Sequence, residues 1–406
     1  MKIRLKKPIA LSVPWIFSLF LWTLANIPRL APAQIRSENP IVPKATGVGS
    51  TADGVQLQDG QIKASVELWQ KYRDAVTAGD MKKVKTCWNA EEYEKGSAYD
   101  RRFESFQKYR TTVRNLTGTV AETSKIEADC IRLTLHWQRD AAAKPVFTET
   151  LYALWENGKP VLAHALKAMT RHWPGQQTKS IQYRYYPEHR FNAKTAAAMD
   201  SFTQHLYRLF HLHPARKIPY FIFPPKSDPP NFRQWNVSRS DLGEAQGRVS
   251  MVIDWIRDSE YSPHEIVHMV QRTMTESAPC LFLLEGMATY FGGDNAFRET
   301  VLTALRRTIT NRTVPPVDSL MRLSYSRGEL TRREDVWIKS AGAAVVGYLV
   351  ERHGADTFKR FYIEASAKRN DKANSQNFVA SLKNTYQLSP PELDEKYRDW
   401  LMAQGK

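Results

Sequence analysis

Cysteine is scarce in this chain: Cys87, Cys130 and Cys280 are the only three among 406 residues. That is too few for a disulfide framework, so the fold has to rest on an apolar core. At most Cys87 and Cys130, both in the N-terminal region, could pair in an oxidising compartment, leaving Cys280 over. Acid is also in short supply, with 42 Asp and Glu against 58 Lys and Arg and a formal net charge of +16. The excess is spread in short groups such as Arg306-Arg307 and Arg332-Arg333. No zinc-knuckle, helix-turn-helix or RNP-type pattern accompanies it, which argues against nucleic acid as a partner. Loose association with an anionic cell-envelope polymer, or simply a solvated surface, accounts for the charge. Internal repeats are lacking, and after the N-terminus no apolar run is long enough to cross a membrane.

The N-terminus is the exception. Lys2, Arg4, Lys6 and Lys7 precede an apolar run from Pro8 to Ile27, and Ala31-Pro32-Ala33 offers small residues before Gln34. Residues 1–33 therefore read as a secretory signal peptide, with an uncleaved anchor as the alternative, and the rest as exported. Pro14, Asn26, Pro28 and the Ala-Pro-Ala site favour cleavage. Without these residues, which hold five basic groups and no acid, 53 basic residues remain against 42 acidic ones.

Residues 34–60, rich in Gly, Pro, Ser, Thr and Ala, read as a flexible leader. From about Ser65 to Val76 apolar residues recur at helical spacing, and short helices are expected through Val84 to Trp88 and near Phe103 to Tyr109. Strands are expected over Thr111–Val120, Ile126–Trp137, Val146–Trp155 and Val161–Met169, with Asn157-Gly158 as a hairpin turn. Residues 61–172 thus form a small α+β domain. A linker at Trp173-Pro174-Gly175-Gln176-Gln177 leads into a second domain over 178–406. This has strands at Ile181–Tyr185, Ile218–Phe223 and Arg248–Trp255, a helix from Thr195 to His211, and later segments that are largely helical.

The chemistry is concentrated in that second domain. In His264-Glu265-Ile266-Val267-His268, two histidines four apart share one helix face, so both imidazoles can reach a single Zn²⁺. Glu265, beside the first of them, is placed to take a proton from a zinc-bound water as general base. Downstream, Leu283-Leu284-Glu285-Gly286-Met287-Ala288-Thr289-Tyr290 is an apolar helical run with one carboxylate. Glu285 supplies a third ligand, and Gly286 and Ala288 let its helix approach the histidine helix closely. Two other readings stay open. Ser262-Pro263-His264-Glu265 also fits a capping box, with Glu265 structural, and a metal could be held without turnover.

Together these segments resemble the gluzincins, and most of all bacterial peptidase-MA-like domains, with His-Glu-x-x-His followed by Glu-Gly-x-Ala. The resemblance implies His264, His268 and Glu285 as zinc ligands, Glu265 as general base and a peptide or protein substrate. It implies a substrate-binding strand edge at 249–253, and a later helix, Trp337 to Gly354, beneath the metal. An oxyanion donor is also implied, with Tyr290, Tyr325 and Tyr348 as candidates; Val336-Trp337-Ile338 stands where relatives often carry a tyrosine. Thr289 is a candidate to hydrogen-bond a ligand. More weakly, the helix ending at Ala78-Gly79-Asp80 resembles the start of an NTF2-like fold.

Overall fold

A computed structural model describes residues 52–93, 110–139 except 112, 144–224, 252–254, 258–293 except 276, 303, 306, 307, 314–323, 330–366 and 371–404. By internal contacts the chain divides into Met1–Asp53 and Gly54–Lys406; the second part is described below. Its structure is mixed α+β and includes an all-antiparallel sheet.

Helix α1, Ala52–Ala78, starts thirteen residues before the apolar period does, inside the expected leader. It is followed by α2, Met81–Cys87, whose N-cap Asp80 accepts from the Lys83 amide. Strands β1, Thr117–Glu127, β2, Cys130–Gln138, β3, Phe147–Glu156, and β4, Lys159–Ala163, then pair antiparallel in that order. Three boundaries differ from expectation. Residues 110, 111 and 113 are helical, so β1 starts at Thr117 and not at Thr111. Ile126 belongs to β1, because the hairpin closes between Glu127 and Cys130. Residues Ala165–Thr170 form the short helix α3 rather than extending β4. The helix expected near 103–109 lies outside the described residues.

Alternation along β2 decides the cysteine question. Ile131, Leu133, Leu135 and Trp137 pack on the same core as Trp69, Tyr72, Val84 and Cys87. Cys130, one residue out of phase, packs on the other face with Tyr152, Leu154 and Ala168. Neighbouring strand residues point to opposite faces, so Cys87 and Cys130 are on opposite sides of the sheet, and both are free and buried.

The expected linker contains a strand, β5, Gly175–Gln177, paired antiparallel with β6, Ile181–Tyr185. Helix α4, Ala193–Leu209, leads to β7, Ile218–Ile222, parallel to β6, and β7 pairs in parallel with β8, Val252–Asp254. Among the described residues β8 is the last strand of this sheet. Of the expected strand edge, 252–253 lie in it and 249–251 outside the described residues.

The remainder is helical: α5, Pro263–Met274, α6, Leu281–Gly292, α7, Val317–Leu320, α8, Arg332–His353, α9, Ala355–Ala365, α10, Asp371–Tyr386, and α11, Pro390–Ala403. Capping boxes start two of these, Thr331 with Glu334 and Ser389 with Glu392, and each satisfies two otherwise unpaired amides. No helix among the described residues is long and apolar enough to cross a membrane.

Helix α6 is the hub, packed against both α5 and α8. A Cβ added at Gly286 would lie 2.6 Å from the Gly342 Cα, and one at Gly342 2.5 Å from the Phe282 carbonyl oxygen. Gly286 therefore serves the approach of α8, not that of the histidine helix. Both obstacles are backbone, which cannot swing aside. Gly342→Val is expected to destabilise the protein by about 3 kcal/mol, at the upper end for overpacking and more than the helix-propensity gain offsets. Thermal melting checks this, and an unchanged Tm would contradict the close approach.

Candidate metal centre

Helix α5 begins at Pro263 after the N-cap residue Ser262, whose side chain makes no capping hydrogen bond to the helix. The capping-box reading of Ser262 and Glu265 therefore fails. One helical turn brings the rings of His264 and His268 to 4.9 Å between centroids, edge to face. Glu285, from α6, faces both: its carboxylate oxygens lie 3.3 Å from His264 Nε2 and 3.6 Å from His268 Nε2. All three residues are buried, and their ligand atoms lie within 4.8 Å of one another.

The outer ring nitrogens are held as well. His264 Nδ1 lies 3.1 Å from the Gly293 carbonyl oxygen, and His268 Nδ1 lies 2.8 Å from Gln271 Oε1. The Gln271 amide donates to the Leu284 carbonyl at 2.8 Å, which fixes its oxygen toward the ring. Each Nδ1 must therefore donate, so in the neutral rings both Nε2 atoms carry lone pairs. Two lone pairs then meet a carboxylate with no donor between them. A proton on one ring answers part of this; a cation at the centre answers all of it. The donor set, two imidazoles and a carboxylate with their outer atoms tied, fits Zn²⁺.

Gln271 and Gly293 were not singled out from the sequence. Gln271 follows His268 by three residues, on the same helix face. Gly292 and Gly293 close α6. A Cβ at Gly292 would lie 2.5 Å from the His264 backbone nitrogen, and Gly293 has φ 75°, which turns the chain there.

Burial opposes charge on both His264 and Glu285. For His264 the hydrogen-bonding capacity and charge of Glu285 outweigh it and raise the pKa. For Glu285 the charge of His268 and the interaction with His264 outweigh it and bring the pKa down to about 2. Lys339 on α8, ion-paired with Asp335 at 3.0 Å, adds positive potential at both groups. In metal-free protein the Glu285 contribution to stability is complete above the unfolded carboxylate pKa, about 4.3, and is lost as pH falls toward about 2. The His264 contribution is complete below the unfolded imidazole pKa, about 6.5, and is lost as pH rises through the higher folded value. With chelator, the contribution of this pair is expected to be greatest between about pH 4.3 and 6.5. Adding Zn²⁺ is expected to remove the alkaline loss, because ligation needs no proton on His264. Melting curves across pH with and without metal test this, and superimposable profiles would contradict it.

Glu265 is half-buried, and among the described residues its carboxylate makes no hydrogen bond or ion pair. Tyr290 is engaged elsewhere: its hydroxyl donates to Glu351 Oε1 at 3.2 Å, and burial followed by the Glu351 charge raises its pKa. Its ring packs against Gly347 of α8. Five residues from Glu285 is about 140° around a helix, so Tyr290 is turned away from the oxyanion role. Tyr348 is buried against His353, and Tyr325 lies outside the described residues. The Thr289 hydroxyl is buried without a partner among the described residues, so it orients no ligand. Cys280 is at the N-cap of α6, its thiol pushed up to about 12 by burial, and is not one of the clustered groups.

Comparison with protein-family models, curated proteins and solved structures finds no match to this chain.

Proposed function

We propose that this protein is an exported zinc-dependent peptidase of gluzincin type, acting on a peptide or protein substrate. The observation that carries the reading is the convergence of His264, His268 and Glu285 with both outer imidazole nitrogens tied to oxygen acceptors. In this reading residues 178–406 are a peptidase-MA-like domain and residues 61–172 an NTF2-like appendage. A bound Zn²⁺ supplies Lewis acidity, which brings the pKa of a water toward neutrality and polarises a carbonyl. Glu265, one residue from His264 and without a competing hydrogen bond among the described residues, takes the proton of the attacking water and returns it to the leaving amine. Gln271 and the Gly293 carbonyl hold the two imidazoles in the ligating tautomer.

One observation favours a second reading, a metal-stabilised envelope protein without turnover: Tyr290 is bound to Glu351 and offers no donor for an oxyanion. The two readings separate in one experiment. Residues 34–406 are assayed for metal by mass spectrometry and for hydrolysis on a broad peptide library, beside His264→Ala/His268→Ala. About one zinc per chain with hydrolysis, both lost in the variant, supports the peptidase. Zinc without hydrolysis supports the second reading, and no zinc overturns both.

A further inference from the structure

Just before the helix that carries His264 and His268, three buried or half-buried titratable groups meet. His189 lies in the turn between β6 and α4, its side chain 4% exposed. Its Nδ1 is 2.6 Å from Asp258 Oδ1 and its Nε2 is 2.8 Å from Glu260 Oε1. Glu260, whose side chain is 3% exposed, also accepts the Asn192 backbone amide at 2.7 Å, and the Asn192 side chain caps α4. Three tyrosine hydroxyls converge on the same short segment. Tyr186 donates to Asp258 Oδ2, Tyr220 to the Ser259 carbonyl and Tyr183 to the Glu260 carbonyl, at 3.0, 3.0 and 3.3 Å. Asp258 is held at φ 52°, a left-handed conformation that a residue with a side chain adopts at a cost unless its surroundings impose it.

We propose that His189 is a positioning residue for the metal centre, acting through Glu260 and Asp258 on the start of α5; this rests on the zinc reading above. Glu260 precedes His264 by four residues. Only Tyr261 and Ser262 separate Glu260 from Pro263, the first residue of α5, so the anchoring of 258–260 bears directly on the entry of the helix. Ionised carboxylates only accept, so the bridge needs a proton on each ring nitrogen or one retained on a carboxyl. Removing one partner leaves another buried polar group unpaired, and the segment carrying His264 then loses its register with Glu285. An apolar cluster of the same volume would hold the segment by packing but would not direct it. Partners that orient ligands without touching the metal typically change affinity by about 10–100-fold.

The test uses the full chain, with His189→Gln, Glu260→Gln, the double variant and the milder Asp258→Asn. Phe361→Leu, which loosens aromatic contacts with Phe358, Phe378 and Tyr386 on α9 and α10, serves as a packing control. Zn²⁺ affinity is measured by chelator competition below the melting temperature of every variant, together with the visible spectrum of the Co²⁺ form. Hydrogen exchange of the peptide 258–268 is followed without metal. Each single bridge variant is expected to weaken Zn²⁺ binding about tenfold or more, alter the Co²⁺ bands and speed exchange in 258–268. The double variant should be no worse than the worse single, because one bridge is lost in each case. Phe361→Leu should lower the Tm with Zn²⁺ affinity unchanged. If His189→Gln does not fold, Asp258→Asn carries the test with a loss at the low end of that range, about tenfold. Wild-type uptake with unchanged affinity in the bridge variants, or effects that simply add, overturns the positioning role alone. Wild-type protein that takes up neither Zn²⁺ nor Co²⁺ overturns the zinc reading and this proposal together.

Discussion

Glu265→Gln is expected to reduce kcat/KM on cleaved peptides by about 10²–10⁴-fold, the usual contribution of a positioned general base. Zinc content should be unchanged. The amide keeps the shape of the carboxylate but cannot take a proton at neutral pH, so the loss should fall on kcat with little change in KM. Stability should also be preserved, since Glu265 is half-buried and makes no hydrogen bond or ion pair among the described residues. The measurement is a progress curve on a substrate drawn from the peptide library, with metal assayed on the same samples. Hydrolysis at the wild-type rate would remove Glu265 from the chemistry. Loss of zinc along with activity would instead make it part of the metal's support.

Glu285→Ala is expected to have the larger effect on metal. In the proposed zinc site it takes away one of three ligands and leaves two histidines, so Zn²⁺ affinity should fall by more than the ~10–100-fold typical of a residue that only orients a ligand. The metal-free protein should also melt lower. Glu285 is buried and ionised, its pKa near 2 through the neighbouring histidines, and removing one partner of such a group costs about 3–5 kcal/mol. Chelator competition and melting of the metal-free form separate the two effects. Wild-type zinc content would show that the third ligand lies elsewhere, and an unchanged metal-free Tm would show that the contacts of Glu285 with His264 and His268 carry no stability.

Much of the scaffold was legible in the chain because it depends on local rules. The spacing of His264 and His268 places them on one face of any helix. Alternation along Ile131 to Trp137 requires a half-buried strand, and Arg352-His353-Gly354 marks a helix end, where Gly354 adopts φ 84°. Other features were misread because the local signal was missing or was overridden by a longer-range contact. The early start of α1 falls in a stretch with no apolar period. The 173–177 segment has turn composition, yet Gly175–Gln177 is drawn into strand pairing by β6.

Gly286 shows the same limit at the site. A small residue beside a ligand announces a close approach but not which helix approaches, and the structure assigns it to α8. Tyr290 was near enough in sequence to be a candidate, and its direction depends on Glu351, which is sixty-one residues away. Gln271 and Gly293 carry no chemistry of their own in the sequence. They matter because folding brings one side-chain oxygen and one carbonyl against two particular nitrogens.

The chain by itself determined which groups can do metal chemistry, since residue type and helical periodicity set ligand atoms and their spacing on one helix. Only tertiary structure decided that the Glu285 carboxylate meets both imidazoles, that the outer nitrogens are tied, and that Tyr290 faces away. Those facts depend on how α6 packs against α5 and α8, and packing joins residues that no local period connects.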